Sequence, residues 1–546
     1  MNRHREGAAG VLVEQDSIVD AIWRAVAEHA GRAAVETATE TITYRELGDR
    51  VAACAEQLEA RTEPGEFVGI EAARGAATIV ALAAALTSGR PFVVLDPRDS
   101  TSNAVKVAAL GVSWLARGGE LVEIAGEKRE VDASGAAYAI HTSGSTGEPK
   151  CVLVAVEPLA RMIADHVRRL ELTPDCRTLQ FARLTFDGCV TEILWTLTSG
   201  ACLVVVDEAR LAPGPVLQGT LEDLRITHLK TTPFALTATE PTGSMSLRHV
   251  VNGGGPCRPV LVGKWSAVAA FHNAYGLTET TVCNLLSDVL DPAVHVDSVP
   301  LGEVVGDCGY EVEPRPGDPD SRGELVITGR SVAIGYLTAD GVQRFGGAYR
   351  TGDVVERRDG HLYFVERVDR QLKVRGYRLD PGEIEIAACR LAGVVEAVVT
   401  AESHDGSDVA DALVCYFVGT VDERAVRAHL EAVLDPYKVP SVVTRIPQMP
   451  YTPNGKVDRD ALRASRCAAP ESDLPEDRVL ALVRRLTGVS DASLDDNFFD
   501  IGGDSASTVV LVNELRGLGW MDAGVRDVLR AENLKSLITE LRERGA

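Results

Sequence analysis

The string Thr142-Ser-Gly-Ser-Thr-Gly-Glu-Pro-Lys150 gathers hydroxyls, glycines and a terminal cation, a composition suited to holding phosphate oxygens. Gly144 and Gly147 permit positive φ and close backbone approach, the hydroxyls of Ser143, Ser145 and Thr146 can donate to an anion, and Lys150 adds a positive charge. The string is not a Walker A motif, which needs Gly-x-x-x-x-Gly-Lys-[Ser/Thr], and a solvated Ser/Gly turn would read the same in isolation. A second string, Asp496-Asn-Phe-Phe-Asp-Ile-Gly-Gly-Asp-Ser505, sets a serine at the start of a helix-compatible stretch over 505–515. There its hydroxyl is either an exposed reactive group or an ordinary N-cap. Lys456 follows Asn-Gly, so it reads as an exposed hairpin tip unless something recruits its charge.

These groups need elements to hold them. An apolar run over 136–140 predicts a strand leading into the Ser/Gly loop. From about residue 17 to 365, helical stretches such as 18–29 alternate with β-rich runs such as 91–95, 201–206 and 323–328, which predicts an α/β fold with largely buried strands. A smaller unit over about 369–466 reads as helix 381–391, strands 394–401 and 412–418, and helix 421–434. Residues 464–475 turn to Ala, Ser, Pro and acidic residues without apolar periodicity, as a linker would. Beyond them Val479, Val483, Leu486, Val512, Leu515, Leu534, Ile538 and Leu541 recur at helical spacing, predicting a small helical bundle.

Composition narrows the partners. At 546 residues and 45% hydrophobic, the chain is long enough for two or three domains. Its 56 basic against 79 acidic residues leave a net charge of −23, which disfavours nucleic acid or an anionic membrane as main partner. The eleven cysteines show no Cys-x-x-Cys or metal-ligand spacing and read as free thiols of a reducing compartment. No signal-like N-terminus or membrane-length apolar run is present, so a soluble, cytoplasmic protein is expected.

The Ser/Gly loop resembles the phosphate loop of the adenylate-forming enzymes, and further family motifs stand in family order around it. These are Ile42-Thr-Tyr-Arg-Glu-Leu47, Ser88-Gly-Arg-Pro-Phe-Val-Val-Leu-Asp-Pro97, Phe186-Asp-Gly-Cys189, Asn273-Ala-Tyr-Gly-Leu-Thr-Glu-Thr280, Gly323-Glu-Leu-Val-Ile327, Tyr349-Arg-Thr-Gly-Asp353, Arg367-Val-Asp-Arg-Gln-Leu-Lys-Val-Arg-Gly376 and Asn454-Gly-Lys-Val-Asp-Arg459. The serine string resembles the carrier-protein motif that bears 4′-phosphopantetheine. The chain thus looks like a nonribosomal peptide synthetase adenylation domain fused to a peptidyl carrier. The resemblance implies a large α/β subdomain (12–368), a small mobile α+β subdomain (369–465), a linker (466–474) and an all-α four-helix carrier (475–546).

It also implies roles. ATP would be bound by Thr142, Ser143, Gly144, Ser145, Thr146, Gly147, Lys150, Gly253, Gly254, Tyr275, Thr278, Asp353 and Arg367, and Mg²⁺ by Glu279. In that set Tyr275 stacks on adenine, Thr278 meets the α-phosphate, Glu279 holds Mg²⁺, and Asp353, assisted by Arg367, accepts the ribose hydroxyls. Lys456 would be the catalytic lysine, Asp369 the hinge, and Ser505 the phosphopantetheine attachment site. Joining a carboxylate to the α-phosphate with loss of pyrophosphate requires that two anions be held in line, for which positioned cations and donors suffice.

By the same resemblance Asp187 pairs with a substrate α-ammonium, and Gly188, Thr191, Lys230, Val251, Gly253, Ala274, Val282, Cys283 and Lys456 line the substrate site. Lysine in a small, otherwise apolar pocket is expensive to bury unpaired, so a substrate carboxylate or strong acceptor should meet Lys230. The Thr-Lys-Val-Gly part of the set resembles pockets for aspartate and asparagine, and small Gly188 and Ala274 leave room for a β-substituent. Cys151, Cys189, Leu277 and Glu366 depart from the family pattern without removing a charged catalytic group. Expected partners are the amino acid, a phosphopantetheinyl transferase, tailoring or condensing enzymes acting in trans and an MbtH-like activator. The rival expectations are an acyl- or aryl-acid ligase, and a carrier scaffold with an inactive adenylation unit.

Overall fold

The computed structural model describes residues 17–124, 129, 131–142, 150–295, 298–315, 319, 321–368, 372–374, 377–402, 412–450, 457, 459, 461–462, 475–487, 489, 492–503, 507–508, 511–512, 515, 520 and 523–545. The chain divides after residue 369 into two compact units.

In the first unit the alternation of helix and strand builds two large sheets. One has nine strands, and six of them run parallel in the order Ala33–Glu36, Cys202–Val204, Arg177–Leu179, His228–Thr231, His249–Asn252 and Ala270–Tyr275. The other has eight, with Trp114–Arg117, Val68–Glu71, Phe92–Leu95 and Ala136–Thr142 parallel and Lys150–Ala155 returning antiparallel beside the last. The largest core takes side chains from both sheets, including Val35, Leu203, Val68, Phe92 and Tyr138, together with the helices between them. Helix Ala76–Thr87 is buried from Thr78 to Leu86 without a break, in keeping with a sequence that is apolar on every side.

Two helices start on capping boxes. Ser17 and Asp20 open Ile18–Glu28, and Thr43 and Glu46 open Tyr44–Glu59. The motif Ile42–Leu47 is therefore the start of a helix, and the buried Tyr44 hydroxyl ties it to the Ala201 carbonyl at 2.8 Å. The strand over 323–328 does not continue the α/β alternation. It is Arg322–Gly329, in an antiparallel sheet with Cys308–Pro314, Ala348–Arg358 and His361–Arg367.

The second unit holds a three-stranded sheet, Val394–Glu402, Ala412–Gly419 and Val442–Arg445, with helices Pro381–Cys389 and Glu423–Val433. It also holds helices Pro475–Thr487, Val525–Arg530 and Leu534–Gly545, whose core includes Val479, Val483, Phe498, Leu511, Leu515, Val528 and Ile538. Arg427 joins these two parts. Its guanidinium donates to the carbonyls of Pro440 (3.1 Å) and Ser441 (2.8 Å) and to that of Thr487 (3.1 Å) at the end of the first of these helices. Among the described residues no helix is long and apolar enough to cross a membrane, and the ten described cysteines are unpaired thiols.

Candidate active site

Three adjacent parallel strands deliver the pocket residues at their C-terminal ends, where open α/β sheets bind ligands. Lys230 and Val251 are register partners, and Ala274 lies further along the next strand. Helix Gly188–Ser199 faces them with Gly188 and Thr191. The Thr191 hydroxyl spends its single hydrogen on the Gly188 carbonyl (2.8 Å), so its lone pairs receive the Lys230 ammonium. No other described residue accepts from Lys230. A side chain at Gly188 or Gly253 would reach Lys230, 4.0 Å from Nζ and 3.6 Å from Cε respectively, so both glycines keep space beside it.

Asp187 precedes that helix. The residue is half-buried, but its Oδ2 is shut from solvent and has no hydrogen-bond partner among the described residues. Burial pushes its carboxyl above the usual range, opposed by the Thr278 side chain and by Lys230. An orphaned carboxylate oxygen of this kind is suited to an ammonium ligand. Thr278, expected at the α-phosphate, stands beside Asp187.

Behind the pocket lies a clamp that sequence reasoning missed. Arg74 donates to the carbonyls of Gln180 (2.8 Å) and Phe181 (2.9 Å), while the buried Glu192 carboxylate accepts from the amides of Phe181 (3.0 Å) and Ala182 (3.1 Å). The segment leading to Asp187 is thus gripped on both its carbonyl and its amide side. Burial pushes the Glu192 carboxyl up to about 7, against the pull of Lys230. A lone carboxylate in an otherwise uncharged helix was the available signal.

On the nucleotide side, Asp353 and Arg367 are register partners on neighbouring antiparallel strands. Arg367 donates to Asp353 Oδ1 at 2.5 Å and the Tyr275 hydroxyl to Oδ2 at 2.6 Å. Each carboxylate oxygen keeps a lone pair for a further donor such as a ribose hydroxyl. The loop after Tyr275 is closed tightly on itself. Thr281 and Val282 both take positive φ (63° and 64°), rare for β-branched residues, and a Cβ on Gly276 would stand 2.2 Å from the Val282 carbonyl oxygen. That turn brings Val282 and Cys283 back against Gly276.

Glu279 is buried and its Oε1 accepts the Tyr336 hydroxyl at 2.9 Å. Lys150, which closes the Ser/Gly loop, holds its ammonium 5.0 Å from the centroid of the same Tyr336 ring. Among the described residues no group of three or more His, Cys, Asp or Glu side chains is placed to hold a metal. Mg²⁺ needs none, since it is held by one or two carboxylates with phosphates and water, and Glu279 fits that role. Gly253 is buried and Gly254 exposed with φ 76°, both just past the strand that carries Val251. The expected sites at Ser143, Gly144, Ser145, Thr146, Gly147, Asp369, Lys456 and Ser505 lie outside the described residues.

The AMP-binding enzyme model matches residues 22–111 and 101–337, the AMP-binding enzyme C-terminal domain 383–456, and the phosphopantetheine attachment site 477–541. These matches and the two-unit fold define an adenylate-forming ligase. Novobiocin biosynthesis protein H of Streptomyces niveus is 30% identical, covering 98% of this chain and 98% of its own. The nonribosomal peptide synthetase CymA of Salinispora arenicola is 33% identical over 96% of this chain, which spans 7% of CymA; it likewise spans 9% of bacitracin synthase 3 of Bacillus licheniformis, at 31% identity over 93% of this chain. The solved structure of holo-PA1221, an NRPS protein containing adenylation and PCP domains, has the same fold, with TM-score 0.78, 23% identity and 98% of each chain covered. The chain belongs to the nonribosomal peptide synthetase family, as an adenylation domain followed by a phosphopantetheine carrier. Enzymes of this kind use ATP and Mg²⁺, and the carrier bears 4′-phosphopantetheine, which implies a phosphopantetheinyl transferase as partner.

Proposed function

We propose that the chain activates aspartate, or a β-substituted aspartate, as its aminoacyl adenylate and transfers it to the phosphopantetheine thiol on Ser505 of its own carrier. The observation that carries the substrate is Lys230. Its ammonium has three donors, one of which is taken by Thr191 within the described residues; the Asp187 and Glu192 carboxyls attract it, while the pocket residues Val251, Ala274 and Cys283 are buried and uncharged. A side-chain carboxylate meets that cation, and the orphaned Asp187 oxygen meets the α-ammonium. The substrate carboxylate is then left toward Tyr275, Asp353 and Glu279, where the nucleotide is read. Mg²⁺, when bound, neutralises phosphate charge. Lys456 supplies the cation for the adenylation step, and Asp369 is the hinge about which residues 369–465 turn. The cytoplasm is the proposed location, and tailoring or condensing enzymes in trans, with an MbtH-like activator, are the proposed further partners.

The test is intact-protein mass spectrometry of the pantetheinylated protein with ATP, Mg²⁺, the proteinogenic amino acids and β-substituted aspartates. The expected result is a mass gain matching aspartate or a derivative, absent in Ser505→Ala and strongly reduced in Lys230→Ala. Equal aspartate loading by Lys230→Ala overturns the substrate assignment. Pyrophosphate exchange with aryl or acyl acids but no amino acid makes the chain an aryl or acyl ligase instead.

A further inference from the structure

Tyr336 is placed where neither motif reading nor composition would put a functional residue. It sits on strand Gly335–Thr338, which pairs with Lys150–Ala155, Tyr336 opposite Val152. Its ring therefore lies beside the strand that begins with Lys150, while its hydroxyl reaches the short helix Thr278–Thr280 that carries Glu279. One side chain touches two groups of opposite charge. The ring face lies 5.0 Å from the Lys150 ammonium, and the hydroxyl is 2.9 Å from Glu279 Oε1.

Proton inventory fixes the direction of the chain. A phenol has one hydrogen and a carboxylate has none, so Tyr336 donates to Glu279. The 2.9 Å contact between the Tyr336 and Tyr349 hydroxyls must then run from Tyr349 to Tyr336. Phe345 packs edge-on to Tyr336 at 4.8 Å and against Tyr349 at 4.9 Å, locking both rings. The Glu279 main chain is held as well, its carbonyl accepting the Ala333 amide at 2.9 Å.

We propose that Tyr336 is a positioning residue that sets Glu279 and Lys150 jointly for the Mg²⁺-bound triphosphate, its hydroxyl aiming the carboxylate and its ring seating the lysine. The inference rests on the assignment of Glu279 to Mg²⁺. Two substitutions in the full-length protein separate the two contacts. Tyr336→Phe keeps the ring and loses the hydroxyl; Tyr336→Leu loses both. Readouts are calorimetric ATP binding with and without Mg²⁺, and the Mg²⁺ concentration that half-saturates pyrophosphate exchange.

Tyr336→Phe is expected to raise that Mg²⁺ concentration about 10- to 150-fold, the range of one hydrogen bond to a charged group, and to leave Mg²⁺-free ATP binding within about twofold. Tyr336→Leu is expected to weaken Mg²⁺-free ATP binding as well, about 3-fold or more, through loss of the cation–π contact. Glu279→Gln distinguishes the premises. If it shifts Mg²⁺ dependence and Tyr336→Phe does not, the positioning role is overturned. If Glu279→Gln itself leaves Mg²⁺ dependence unchanged, the metal assignment falls and the proposal falls with it. A Tyr336→Phe protein that melts like the wild type yet shows the Mg²⁺ shift excludes a merely structural role.

Discussion

Glu192→Gln removes a titrating group from behind the substrate pocket while keeping its shape. The carboxyl ionises at its ordinary value of 4.5 in the unfolded chain and near 7 in the fold, because burial outweighs the pull of Lys230, the Ala182 amide, Arg74 and the Gln180 side chain. Between those values the folded chain retains a proton that the unfolded chain has lost. The contribution to stability is therefore fully present below pH 4.5 and is lost as pH rises through 7. A shift of about 2.5 units at about 1.4 kcal/mol each makes the loss on the order of 3 kcal/mol. Solvent screening does not discount it, since Glu192 is 0% exposed. The assay is urea unfolding of wild type and variant across about pH 5 to 8, the window that this linkage spans. The expected result is that wild-type stability falls relative to that of the variant on this scale as pH rises. Gln also turns an amide donor toward the Phe181 or Ala182 N–H, but that penalty is independent of pH and shifts the whole curve. A difference that stays constant across the window would refute the reasoning.

Gly276→Ala drives a Cβ into the Val282 carbonyl, at 2.2 Å before relaxation. It should open the 276–283 turn at a cost of roughly 1–3 kcal/mol and abolish most pyrophosphate exchange, with melting and exchange assays as the check. Tyr275→Phe leaves Asp353 Oδ2 without its phenolic donor in a fully buried setting. ATP affinity by calorimetry should fall by about 5- to 150-fold, equivalent to about 1–3 kcal/mol, and an unchanged affinity would detach Tyr275 from nucleotide binding.

The elements most legible in the sequence were those whose own periodicity or caps define them. The helix expected over 381–391 is Pro381–Cys389, and that over 421–434 is Glu423–Val433, shortened because Asp422 caps it. The strand expected over 394–401 is Val394–Glu402. The division of the first unit into two sheets was not legible, because neighbouring strands such as Ala33–Glu36 and Cys202–Val204 are far apart in the chain and both apolar. Nor was the antiparallel sheet after residue 307, whose strands look like any β-rich run until their partners are known. In the site, Lys230 and Asp187 were legible through the family resemblance, which set both at substrate positions. Arg74 and Tyr336 were not, since their partners lie 106 residues away at Gln180 and 57 away at Glu279. Only tertiary packing makes those pairs visible.

The two-sided grip of Arg74 and Glu192 on residues 180–182 divides the pocket for anyone who would retarget it. Val251, Ala274 and Cys283 are uncharged wall, exchangeable for residues of similar size at the price of packing alone. The wall built from Asp187, Thr191 and Lys230 is different, because Lys230 is electrostatically tied to a carboxylate that anchors the backbone. Replacing the lysine alone leaves that anchor without the cation that pulls on it most strongly, so a library varying Lys230 should vary Glu192 with it.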